Sequence, residues 1–116
     1  MGDLVFGSSD SGAVKFFRAL GCAHNLITDR YDLRCYFERW DSISLVVTGA
    51  ALGQCLDKAM LVQALSLTIP CVSVVEHWSW YKRRFETNNG LLLPEKILVN
   101  DDIACQDAIA DGLPAD

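Results

Sequence analysis

The stretch SLVVTGAALGQCLDKAMLVQALSLTIPCVSVVEHW, residues 44–78, decides the fold. It opens with SLVVTG, a short apolar run ending in a glycine turn. That is the pattern of a buried strand, with Val46 and Val47 at its centre. GAALGQ follows as a loop of small residues. LDKAMLVQALSL then places Leu56, Met60, Gln63, Ala64 and Leu67 near one face of a helix. Pro70 disfavours helical backbone at Ile69, so the helix ends before it. CVSVVEH is a second apolar strand. Strand, helix and strand in this order make a parallel crossover unit, and such connections are right-handed almost without exception.

The same alternation extends in both directions. Towards the N-terminus, Leu4, Val5 and Phe6 form a short strand that runs into the turn-rich GSSDSG loop. Ala13, Phe16, Phe17 and Leu20 recur at helical spacing, and Gly21 closes that helix. Residues 25–28 read as another strand. Asp32 caps a helix reaching about Trp40, with Leu33, Tyr36, Phe37 and Trp40 on one stripe. Towards the C-terminus, HWSWYKRRFE is a loop or short helix and TNNG is a turn. LLLPE crosses back to a last strand, KILVN. Asp101 and Asp102 stand where a final helix begins, favourable against its dipole, and Gly112 and Pro114 stop it. This order predicts an α/β fold, a three-layer α-β-α sandwich around a five-stranded parallel sheet of Rossmann-like or flavodoxin-like kind. One domain would cover residues 1–116, with the sheet buried on both faces.

Composition supports a folded chain. Of 116 residues, 51% are hydrophobic and 22% charged, which excludes a disordered polymer. The net charge of −5 speaks against wrapping a phosphate backbone, so no nucleic-acid partner is expected. Five cysteines, an odd number with no C-x-x-C pair, argue for free thiols in a reducing cytoplasm and against a zinc site. The first residues lack the basic and apolar regions of a secretion signal, and no apolar run approaches the ~18 residues of a membrane span.

In a sheet of this kind ligands bind beyond the carboxyl ends of the strands, at a switch in strand order. Four segments would meet there: residues 7–12, residues 48–53, Glu76-His77-Trp78, and residues 100–102. Gly7, Ser8, Ser9 and Gly12 belong to a loop whose small residues let backbone amides approach an anion. Thr48, Gly49 and Gly53 repeat that logic, with Lys58 one turn into the following helix. Both loops also read as tight strand-to-helix turns, and neither matches a dinucleotide fingerprint or a P-loop. Glu76 and His77 are candidate acid–base partners or hydroxyl-orienting groups. Adjacent side chains on a strand point to opposite faces, so both reach one site only if the strand has ended. Trp78, Trp80 and Tyr81 precede Lys82, Arg83 and Arg84, a mixture suited to stacking and to anion contact, or to an amphipathic helix with its cations in water. No metal or cofactor is assigned.

The order T-G-x-x-x-G, L-D-K, I-P, E-H-W-x-x-Y-x-x-R-F, L-P-E and I-x-V-x-D-x-x-A resembles the N-terminal half of bacterial GT-B-type glycosyltransferase-like proteins associated with surface-polysaccharide biosynthesis. Thr48, Gly49, Gly53, Lys58, Glu76, His77, Trp78, Tyr81, Arg84 and Asp101 carry the match. The resemblance implies an acceptor-side domain that binds a sugar or another anionic small molecule. His77 would act as base or hydroxyl-orienting group and Arg84 as anion contact. It also implies that a second domain holds most of a nucleotide-sugar, so that residues 1–116 alone have little or no transferase activity. The alternative is a stand-alone, non-catalytic binding or homodimerisation module.

Overall fold

The computed structural model describes residues 7–8, 15, 18–21, 25–26, 33, 42–53 and 55–115. The chain forms two compact units, Met1–Trp40 and Asp41–Asp116. In the first, β1 (Gly7–Ser8) pairs in parallel with β2 (Asn25–Leu26). Gly21 has φ +68, and its amide donates to the Arg18 carbonyl at 3.1 Å, closing a helical turn as its sequence position implies. Leu33 is buried. The expected strand at residues 4–6, the Phe16 and Phe17 stripe, the helix through Trp40 and the loop residues Ser9 and Gly12 lie outside the described residues.

The second unit is built on β3 (Val46–Thr48), β4 (Cys71–Val75) and β7 (Lys96–Val99), all parallel and hydrogen-bonded in the order β3-β4-β7. Helix α1 (Leu56–Ser66) connects β3 to β4. Its end is a Schellman motif: Thr68 takes φ +58, and the Ile69 amide reaches back to the Ala64 carbonyl at 2.8 Å. Pro70 then starts the approach to β4, its carbonyl accepting from the Val46 amide at 2.9 Å. Between β4 and β7 the chain forms a 3-10 helix (Lys82–Phe85) and a hairpin of β5 (Glu86–Thr87) and β6 (Gly90–Leu91). Helix α2 (Asp102–Ala110) follows β7. The Asp101 side chain caps it, accepting from the Ala104 amide at 2.8 Å, and Gly112 with φ +108 terminates it.

The five-stranded sandwich is therefore not formed. Three strands make the main parallel sheet; β1 pairs with β2, and the hairpin is a separate antiparallel pair. Among the described residues, β2 (Asn25–Leu26), which falls in the second expected strand, pairs with β1 and not with β3, β4 or β7. The order β3-β4-β7 also runs one way across the sheet, so right-handed connections fall on a single face. Among the described strands of this sheet there is no reversal of order, and so no switch-point crevice between them.

The two faces differ accordingly. Val46, Thr48, Cys71, Ser73 and Val75 are buried. Leu61 of α1 lines a small cavity with Thr48 and Ser73, and Ala108 of α2 lines another with Ile97 and Val99. Thr48 and Ser73, opposite each other on β3 and β4, share a buried hydroxyl–hydroxyl hydrogen bond of 2.8 Å. Burial pushes the Cys71 thiol pKa up, against the lowering effect of hydrogen bonds from Thr48 and Ser73. On the other face Val47 is 63% exposed and Leu98 53%. Both helices with described bounds thus pack on one side of the sheet within the second unit, where the sequence predicted helices on both sides.

Candidate functional site

The carboxyl ends of β3 and β4 carry the loops that the sequence singles out. After Thr48 the chain turns through Gly49, Ala50 and Ala51. Their backbone donors do not face an open crevice: the Asp57 carboxylate accepts from the Gly49 amide at 3.1 Å and from the Ala51 amide at 3.2 Å. Asp57 lies in the first turn of α1, where its charge is also favourable against the helix dipole. A Cβ at position 49 would stand 2.9 Å from the Asp57 Oδ2, so glycine is what lets the carboxylate approach. Gly53 is required for a different reason, its φ of +80. The anion position implied by the small-residue loop is thus filled by the chain's own aspartate.

Arg84 ties this loop to the next one. It is 6% exposed, and its guanidinium donates from Nη1 to the Ala50 carbonyl at 2.8 Å and from Nε to the Ser79 carbonyl at 3.1 Å. Lys58 donates from Nζ to the Glu86 carbonyl at 2.7 Å. Both cations expected near a ligand instead hold backbone oxygens. The half-open recess lined by Thr48, Gly49, Asp57, Ser73, Arg84 and Phe85 measures about 10 Å³, room for roughly one water molecule. A sugar does not fit inside it.

The loop after β4 is open. The strand ends at Val75, so the alternation that would separate Glu76 from His77 no longer applies, and both side chains are exposed. Among the described residues no hydrogen bond joins them. Trp78 is 62% exposed and Trp80 57%. Trp80 adopts φ +59, a conformation that costs a bulky residue roughly 1–2 kcal/mol. Its neighbours hold it there: the Arg84 amide donates to the Trp80 carbonyl at 3.2 Å, Arg84 Nε holds Ser79, and Tyr81 is buried to 2% exposure. Arg83 lies over the Trp80 ring, its guanidinium carbon 5.3 Å from the ring centre. Such a pair contributes about 0.5–1 kcal/mol when exposed.

Tyr81 points inward, and its hydroxyl finds no hydrogen-bond partner among the described residues. Burial raises its pKa most; Asp107, Asp101 and Asp111 add to this and Arg84 opposes it. The Lys82 amide donates to Asp111 Oδ2 at 2.9 Å, and its side chain lies along Gly112, next to the carboxyl end of α2.

The predicted residues therefore separate into two sets. Thr48, Gly49, Gly53, Lys58, Tyr81 and Arg84 build the frame of the edge. Glu76, His77 and Trp78 stand on its outside. Gly7 and Ser8 belong to β1 of the first unit. Sequence reasoning did not single out Asp57, and it read Arg83 only as one of three cations. An acid at the start of a helix that follows a glycine-rich loop is the signal that would have found the first. In comparisons with known proteins, no family model, no curated protein and no solved structure matches the chain.

Proposed function

We propose that the loop after β4 is an open shelf that binds a saccharide or a related anionic small molecule by stacking. One observation carries this reading: Trp78 and Trp80 are largely exposed, and Trp80 is held there at φ +59 by an internal clamp. Strained backbone that presents a large aromatic to solvent is a hallmark of positions where local stability has been traded for contact. Exposed indole faces suit the C–H faces of sugar rings, and Glu76 and His77 stand beside them as polar partners for hydroxyls. The finer reading, an acceptor-side part of a glycosyltransferase-like protein, rests on the motif order in the sequence. The water-sized cavity at the glycine loop supports binding on the surface rather than turnover in an enclosed pocket.

The test is a titration of ¹⁵N-labelled protein with a panel of neutral and acidic oligosaccharides, following the indole N–H resonances. Selective shifts at Trp78 and Trp80, absent in Trp78→Ala, support the reading. Unchanged resonances across the panel at millimolar concentration refute it. The alternative, a contact between two copies through the same indoles, predicts concentration-dependent mass in light scattering that Trp80→Ala abolishes.

A further inference from the structure

Neighbouring arginines on this loop have different work, and the difference points to the class of ligand. Arg84 is buried and committed to the Ala50 and Ser79 carbonyls. Arg83 is exposed, its guanidinium lies on the Trp80 ring, and among the described residues no carboxylate pairs with it. Lys82 turns away along Gly112. Beside the exposed indoles, the loop thus holds one cation resting on an indole and, among the described residues, without a paired carboxylate, on a chain whose net charge is −5.

We infer that Arg83 is the specificity-determining residue of the shelf and that its ligand is an acidic saccharide, one bearing a carboxylate next to a ring that can stack. The inference rests on the saccharide reading above and adds the charge. A guanidinium lying on an indole keeps a planar fork of N–H donors at its edge, which matches a carboxylate in two-point contact. The stack holds that fork close to the ring surface, so charge recognition and stacking operate together. A neutral sugar would gain only the stacking; a small inorganic anion would gain only the charge.

The experiment compares a tetrasaccharide of alternating glucuronate and N-acetylglucosamine with the neutral tetramer of N-acetylglucosamine. Binding to the full chain is followed through the indole resonances. The acidic sugar should bind more tightly than the neutral one, and Arg83→Gln should cost it about tenfold in affinity while leaving the neutral sugar unchanged, as expected for one charge-assisted contact. Arg83→Lys should recover only part, since an ammonium lacks the planar fork. Equal affinities for the two sugars, with no effect of Arg83→Gln, would overturn the inference and leave the saccharide reading standing. Binding of neither sugar would remove both. Binding of phosphatidylserine vesicles in place of either sugar would assign the shelf to a membrane surface and overturn it as well. Circular dichroism of the variants checks that the exposed substitutions leave the fold intact.

Discussion

The loop after β3 turns its backbone donors inward onto Asp57, whereas the loop after β4 turns two indoles outward. Both leave the same edge of the same sheet, and Arg84 touches both. The first has the small residues usually associated with an anion site, and it is satisfied from within. The second has the bulky residues that a core would normally claim, and it leaves them in solvent. Glycines in a turn record how closely something approaches, not what approaches. Here it is a carboxylate of the same chain. Exposure against local backbone preference is the more informative sign of a surface kept for contact.

The sharpest way to break this contrast is to remove the residue the two loops share. Arg84→Ala should lower unfolding free energy by about 3 kcal/mol in urea, since two carbonyls lose charge-assisted donors at a buried site. It should also release Trp80 from φ +59 and abolish any indole shifts on titration. A cost under about 0.5 kcal/mol, the size of an ordinary surface change, would mean that the loops do not depend on this clamp.

Asp57→Ala isolates the first loop. It should cost about 1–2 kcal/mol, because two backbone amides lose a charged acceptor at a partly exposed position. Sulfate should restore part of that loss in excess of its effect on the parent protein, by occupying the vacated amides; chloride at equal ionic strength should not. Equal sulfate responses in the two proteins would show that the amides form no anion nest.

Trp80→Gly isolates the second loop and should have a much smaller effect. Glycine adopts φ +59 freely, so relief of backbone strain should offset the added flexibility of the unfolded chain and the lost Arg83 contact, leaving stability within about 0.5 kcal/mol of the parent. The variant should keep its stability while losing its stacking surface. Clear destabilisation would mean that the indole contributes to packing, not display.

The last prediction concerns the frame beneath the shelf. Unfolded tyrosine ionises near pH 10, and buried Tyr81 keeps its proton to higher pH. Above pH 10 the unfolded chain therefore holds fewer protons than the folded one, and stability must fall as pH rises. Tyr81→Phe should flatten that decline, which is measurable by urea titrations at several alkaline pH values.

Much of the second unit was legible. Val46 and Val47, the apolar CVSVV run and KILV announced β3, β4 and β7, and Asp101 and Gly112 marked the ends of α2. What was not legible is that these three strands form a sheet of their own in place of the expected five-stranded one. An apolar run declares a buried strand but not its neighbours, and one-way strand order becomes visible only once pairing is known. The hairpin escaped for a local reason: TNNG reads as a turn, but the two residues of β5 and of β6 are too short to show alternation. At the edge, the sequence marked Gly49 as a place of close approach by a ligand anion, while the group that approaches is Asp57, eight residues away on the next helix. Arg83 and Arg84 are indistinguishable as letters. Which is buried depends on the turn of a 3-10 helix that begins at Lys82.

The internal pairing of Asp57 also constrains how this edge could change over evolutionary time. A phosphate pocket in the turn after β3 would first have to evict a resident negative charge, and any residue larger than glycine at position 49 would crowd that same resident. New chemistry is therefore more readily acquired along the indole-bearing rim, where side chains can be exchanged singly while the foundations stay untouched.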